Sequence, residues 1–167
     1  MDESPVQTDW RRWLDDHAPR FLLFARQKAR CQADAQDLVQ EAVVEASERT
    51  GNDLPPPVAL VYATIHRRAI DWGRAEDRRL GRENAVYHEA QQAWFDTTVE
   101  DRERANLIQH AMSRLPETYR EIVTLKIWGG LTFAEIADSL QISANTAASR
   151  YRYGLEELRK LTREVLT

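Results

Sequence analysis

Apolar side chains in this chain return at intervals of three and four residues and almost nowhere alternate with polar ones. That spacing lines side chains up on one face of an α-helix, whereas a half-buried strand needs a period of two. The expected fold class is therefore all-α. Prolines and glycines, six of each, cut the pattern into separate helices. A chain of 167 residues has room for one ordinary domain or two small ones. The pattern weakens in the middle, so the expectation is two small helical domains joined by a linker.

The first helix pattern runs from Trp10 to Arg30, with Trp10, Trp13, Leu14, Phe21, Phe24 and Ala25 in phase and a kink or restart expected at Pro19. Asp34 is the expected cap of a second helix, whose stripe is Leu38, Ala42, Val43 and Ala46. The stretch "TGNDLPPP" stops it, and three successive prolines form a stiff entry to a third helix over 58–79. Val58, Val61, Tyr62, Ile65, Ala69 and Trp72 form its inner side, and Gly73 is expected to end or loosen it. Residues 83–104 are acidic and lack a strong stripe, so they read as a linker, with partial helix the alternative. Residues 8–82 and 105–167 are then the two domains.

The second domain opens with "ANLIQHAMSRL", followed by "PETYREIVTLKIW", which is expected to bury Tyr119, Ile122, Val123 and Ile127 before Gly129 and Gly130 close it. Thr132 and Glu135 then have the spacing of a capping box, with Leu131 and Ile136 placed as a hydrophobic staple. A three-residue turn leads to Ser143, the cap of a last helix whose inner face is Ala147, Tyr151, Leu155 and Leu158. Two short helices joined by such a turn form a helix-turn-helix.

The inner face fixes the outer one. Asn145, Thr146, Ser149, Arg150, Arg152 and Tyr153 project outward near the start of the last helix, with the cap Ser143 before them. In this motif the first turns of the second helix enter the major groove. Asparagine pairs there with adenine, arginine with guanine, and serine or threonine with base or phosphate. The alternative is a packing pair of helices with a polar surface.

Charge bears on the same question. The chain carries 23 basic and 27 acidic side chains, net −4, yet residues 62–82 hold 6 basic and 3 acidic groups, net +3, between two acidic stretches. Nucleic-acid binding depends on where charge sits rather than on its total. Within that segment Arg67, Asp71, Arg74 and Arg78 recur every three or four residues and share a face. The competing reading is a solvated surface, and for Trp72 it is core packing rather than stacking on a base.

Other classes find no support. There is no run of eighteen apolar residues for a transmembrane helix, and the polar, acidic start "MDESPVQTDW" is no secretory signal. One cysteine, Cys31, makes no internal disulfide, and a reducing, cytoplasmic setting is expected. His17, His66, His88 and His110 have no metal-ligand spacing, and no nucleophile–base pair or phosphate loop is visible. No enzyme activity, metal or cofactor is expected.

Residues 115–161 resemble the fourth conserved domain of bacterial RNA polymerase sigma factors. Leu115-Pro116, Arg120, Gly130-Leu131-Thr132, Glu135-Ile136-Ala137, and Ser143 with Thr146, Ser149 and Arg150 match its pattern. Independently, "DAQDLVQEAVVEA" (34–46) is similar to the polymerase-binding helix of sigma domain 2. "VYATIHRRAID" (61–71) resembles the helix that opens and reads the −10 element, and "HAPRFLLFAR" (17–26) the first helix. Two signatures in order, over nearly the whole chain, identify it as similar to the two-domain extracytoplasmic-function class. There are departures: Ala148 replaces a basic residue, Ala147 a valine and Arg67 an asparagine, and "GNDLPPP" stands for the usual loop.

The resemblance implies a non-catalytic protein that carries polymerase core to promoter DNA and stabilises a melted duplex. Asp34, Asp37, Leu38, Gln40 and Glu41 would dock on the largest-subunit coiled coil, with a second contact at the flap region. The bland role of Asp34 and Asp37 is helix capping. Arg67, Asp71, Arg74 and Arg78 would meet the −10 region, and Ser143, Asn145, Thr146, Ser149, Arg150, Arg152 and Tyr153 the −35 element. An anti-sigma partner is common in the class, and no residue here identifies one. Two rivals remain: a stand-alone helix-turn-helix regulator, which leaves 34–46 without a purpose, and a sigma-like decoy that no longer reads DNA.

Overall fold

The computed structural model describes residues 5–80 and 93–166. The described residues form seven α-helices and no strand, in two compact units that divide between Gln92 and Ala93.

The first unit is a three-helix assembly of α1 (Pro5–Arg26), α2 (Gln32–Thr50) and α3 (Val58–Leu80), each touching the other two. Its centre is aromatic. Tyr62 of α3 meets Phe21 and Phe24 of α1 edge-on, at centroid distances of 4.9 and 5.6 Å. Leu38, Ala42, Val61 and Ile65 fill the space around them and are fully buried. Burying such side chains stabilises the fold by roughly 1.5–3 kcal/mol each before entropy is counted.

Three local expectations change here. Pro19 does not restart a helix but sits inside the continuous α1 on its exposed side. There a missing N–H and a displaced carbonyl leave their groups to water rather than to the core. The cap of α2 is Cys31, with extended backbone and no side-chain cap bond, so Asp34 falls in the first turn instead. A carboxylate there still faces the positive end of the helix dipole. Gly73 does not end α3, which runs on to Leu80, because one glycine costs a helix only about 1 kcal/mol. The triple proline behaves as expected: the Pro57 carbonyl accepts from Leu60 and Val61 as α3 starts.

The second unit holds α4 (Arg102–Arg114), α5 (Glu117–Ile127), α6 (Phe133–Leu140) and α7 (Ala144–Leu166). The long α7 is its spine and packs against the other three. At Gly154 an added Cβ would lie 3.1 Å from Val123 and 3.2 Å from Tyr119, so glycine sets how closely α7 approaches α5. In α5 the buried set is Ile122, Val123, Thr124 and Leu125, while Ile127 is 48% exposed, contrary to expectation.

The linker also reads differently. Residues 83–92 lie outside the described residues, but 93–101 belong to the second unit and 102–104 are already helix. The cause is aromatic. Trp94 is buried, its backbone N–H donates to Gln109 at 2.8 Å, and the Arg120 guanidinium lies 5.7 Å from its ring centre. Phe95 packs on Trp128 with centroids 5.7 Å apart. Two aromatic side chains in an otherwise acidic stretch were the available signal.

Candidate nucleic-acid interface

The helix-turn-helix is built by local hydrogen bonds before any packing is needed. The Thr132 hydroxyl accepts from the Glu135 N–H at 3.2 Å, and the Glu135 carboxylate accepts from the Thr132 N–H at 3.0 Å, closing the capping box. Leu131 and Ile136, the two staple positions, are both buried. After α6, Gln141 takes the left-handed conformation (φ 57°, ψ 47°), and the Ile142 N–H returns to the Ala137 carbonyl at 3.0 Å. That reversal sets the direction of α7.

Ser143 caps α7 as its sequence suggests. Its hydroxyl accepts from the Thr146 N–H at 3.0 Å and donates to Thr146 Oγ1 at 2.8 Å. The Thr146 hydroxyl proton stays available for an outside acceptor. Asn145, Arg152 and Tyr153 are exposed, and Thr146, Ser149 and Arg150 half-buried, while Ala147 among them is fully buried. Tyr151 turns inward to Phe133 at 5.6 Å. The Arg152 guanidinium lies 5.2 Å from the Tyr153 ring centre. No ion pair of Arg150 or Arg152 occurs among the described residues. The seven residues singled out for the −35 contact thus gather at one end of α7, Ser143 as its cap and the other six exposed or half-buried in its first three turns.

The residues singled out on α2 divide. Asp37, Gln40 and Glu41 are exposed and Asp34 is half-buried, but Leu38 is completely buried against the neighbouring helices. Its helical phase places it in the core, so it offers no surface in the free chain. The exposed apolar residue of this face is Val44, 51% exposed, in an open groove with Asp37, Gln40, Glu41, Glu45, Glu48 and Arg68. The spacing 37, 40, 41, 44, 48 is itself helical, and that stripe was the signal for Val44.

The basic helix α3 departs furthest from expectation. Arg67 forms an ion pair with Glu45. Arg68 is bound twice, its Nε to Glu45 at 2.7 Å and its Nη1 to Glu41 at 2.8 Å. Burial pushes the Glu45 carboxyl up, and the hydrogen bonds from Arg68 and Arg67 outweigh it, so it is held below its ordinary value. The hydrogen bond that Arg68 donates to Glu45 leads the causes that raise its guanidinium. Asp71 is exposed one turn beyond Arg67, and the side chains of Arg74 and Arg78 lie outside the described ones. Trp72 is half-buried, in a small cleft with Lys28, Arg30, Asp34 and Leu38. Among the described residues no group of three His, Cys, Asp or Glu could hold a metal ion, and no helix is long and apolar enough to cross a membrane.

Known proteins match both units. Residues 13–79 match the family described as Sigma-70 region 2, and residues 105–158 match Sigma-70, region 4. The ECF RNA polymerase sigma factor SigK of Mycobacterium ulcerans is 32% identical over 75% of this chain and 70% of its own length. SigL of Mycobacterium tuberculosis is 27% identical over 93% and 89%, and SigV of Bacillus subtilis 27% over 92% of each chain. Among solved structures, the sigma factor RpoE of Bartonella quintana, in complex with the anti-sigma factor NepR, has the same fold, with a TM-score of 0.70 at 18% identity over 93% of this chain and 97% of that one. With both sigma regions present in order on these helices, the chain belongs to the extracytoplasmic-function sigma factors, which bind RNA polymerase core and direct it to promoter DNA.

Proposed function

We propose a division of labour within that activity. Residues 8–82 form the unit that binds core and meets the −10 element, and residues 105–167 the unit that reads the −35 element, with 93–104 as its N-terminal extension. The observation that carries the second assignment is the start of α7, where a capped helix end, Asn145, Thr146 and Ser149 stand beside two arginines with no carboxylate partner among the described residues. Such a surface suits base edges and phosphates in a major groove.

The groove on α2 suits a polymerase surface that is basic around an apolar contact. Asp37, Gln40 and Glu41 surround Val44 there, and Asp34 lies one turn before Asp37. Leu38 supports this face from beneath. Asp71, Arg74 and Arg78 extend along α3 toward the −10 contact, with Arg67 at the position where the family carries asparagine. The protein acts as a non-catalytic subunit in the cytoplasm, together with the polymerase. An anti-sigma protein is a further partner on this reading, supported by the structural neighbour seen bound to one.

A run-off transcription assay tests the assignment. Sigma-free core polymerase and this protein, on a pool of promoter fragments, are expected to give discrete new start sites. Val44→Glu combined with Asp37→Lys is expected to abolish core binding and transcription while helix content and melting stay unchanged. Core binding that survives this double substitution would place the docking surface elsewhere.

A further inference from the structure

One side-chain network joins the two surfaces that the proposed function keeps apart. Glu41 and Glu45 of α2 hold Arg67 and Arg68 of α3 through three contacts, two of them at 2.7 and 2.8 Å. Its four formal charges cancel. Arg68 also lines the α2 groove beside Asp37, Gln40, Glu41 and Val44, so a protein seated in that groove touches the network directly. A carboxylate pair spaced one helical turn apart presents oxygens to two adjacent arginines much as a DNA backbone does.

Resting on the reading of α2 as the core-binding helix and α3 as the DNA helix, we propose that Glu41 and Glu45 are positioning residues that mask Arg67 and Arg68. In the free chain the two carboxylates occupy the guanidinium groups that DNA phosphates would take. When core fills the groove, its basic surface takes over Glu41, and Arg68 loses one of its two anchors. Glu45 is then left to serve two arginines alone, and a phosphate competes for the second. Docking on polymerase and availability for DNA are thereby coupled, and coupling of this kind is reciprocal: DNA that captures Arg68 leaves Glu41 free for core. Exposed ion pairs suit such an exchange because each is weak enough to be displaced.

The test compares free chain and holoenzyme. A labelled single-stranded oligonucleotide is titrated with the wild type and with Glu41→Gln, Glu45→Gln at several salt concentrations. The free double variant is expected to bind about tenfold more tightly, the scale on which two exposed ion pairs compete. The slope of log affinity against log salt should steepen by about 1.4, as for two more phosphate contacts on a single strand. Adding Arg67→Ala and Arg68→Ala should remove the gain. Asp15→Asn with Asp16→Asn, which neutralises two exposed carboxylates of α1, controls for net charge and should give less than half of it. In the holoenzyme, assembled at core concentrations shown to saturate the variant despite its altered Glu41, the advantage should fall below about threefold, because core has already drawn Glu41 away.

An unchanged affinity in the free double variant, a gain equalled by the Asp15 and Asp16 control, or a gain that persists undiminished with core would each overturn the mask. If that happens while the wild-type holoenzyme still transcribes from its promoters, the mask fails and the assignment of function stands. A wild-type chain that binds no core removes the reading on which the coupling depends, and the mask with it.

Discussion

Two helices carry the arginines proposed to meet DNA, and they hold them in opposite ways. On α7, Arg150 and Arg152 have no carboxylate partner among the described residues. On α3, Arg67 and Arg68 are both bound by carboxylates of α2. Counting charge along the chain ranks them the other way, since residues 62–82 carry net +3 and residues 105–167 only net +1, with 8 basic and 7 acidic groups. Folding reverses the order because the acidic N-terminal stretch packs against the basic one. Available charge is a property of the packed surface, and a local sum along the sequence omits whatever lies across the helix interface.

The largest expected effect follows from the open pair. Arg150→Ala with Arg152→Ala should reduce promoter-directed transcription at least a hundredfold, since each good base contact is worth about 1–3 kcal/mol of discrimination. Thermal unfolding should be nearly unchanged, because neither side chain has a carboxylate partner among the described residues and the Arg152 contact with Tyr153 is at the surface. Equal losses from Arg67→Ala with Arg68→Ala in the holoenzyme would erase the distinction between the helices at the level of function.

A second test asks whether the open pair depends on how α7 is seated. Gly154 is the point of closest approach to α5, where a Cβ would press on Val123 and Tyr119. Gly154→Val should cost about 1–3 kcal/mol by overpacking, read as a lowered melting temperature. It should also weaken duplex binding, because Gly154 lies one turn beyond Arg150 and a shift of α7 there would move the proposed DNA contacts. An unaffected melting temperature would show that α5 yields at this point.

Most of the fold was legible because its signals are local. The capping box at Thr132 and Glu135, the Ser143 cap and the Pro57 helix entry depend on residues within three or four positions, and each forms as the sequence suggests. What escaped depends on partners distant in sequence. The Glu45 contact with Arg68 spans 23 residues and the Trp94 contact with Gln109 spans 15, and no periodicity in either segment announces them. Leu38 was placed on the docking surface by a motif, while its own phase with Ala42 and Ala46 puts it in the core. There the period was the better guide than the pattern. Val44 is the reverse case, an apolar residue left outside the core stripe.

A smaller effect separates the aim of α7 from its charges. Gln141 adopts a left-handed backbone that residues with a Cβ avoid, although its side-chain amide regains a hydrogen bond to the Asp138 carbonyl at 2.8 Å. Gln141→Gly should raise unfolding stability by up to about 1 kcal/mol, since the left-handed conformation costs roughly 1–2 kcal/mol and the lost hydrogen bond offsets part of the relief. Transcription should not change. A loss of transcription with a gain in stability would mean that the strained turn itself sets the angle at which Arg150 and Arg152 arrive.

The closed pair should reveal itself through pH, and the open pair should not. Glu45 has its carboxyl held below the ordinary value in the folded chain and regains that value on unfolding. The unfolded state therefore takes up protons first as pH falls. The stabilisation is fully present above the ordinary carboxylate range and is lost as pH drops through the depressed folded value. At pH 7 Glu45→Gln should cost about 0.5–1 kcal/mol, the scale of a partly exposed ion pair, and the variant and wild type should converge as pH falls through the depressed folded value. Arg68→Met should show the same convergence, and the two substitutions together should cost less than their sum, because each alone already removes the shared contact. Arg150→Ala should give stability curves parallel to wild type across the range, since it has no carboxylate partner among the described residues. If Arg150→Ala converged with wild type in acid as Glu45→Gln does, α7 would hold a carboxylate of its own, and the two helices would differ in degree rather than in kind.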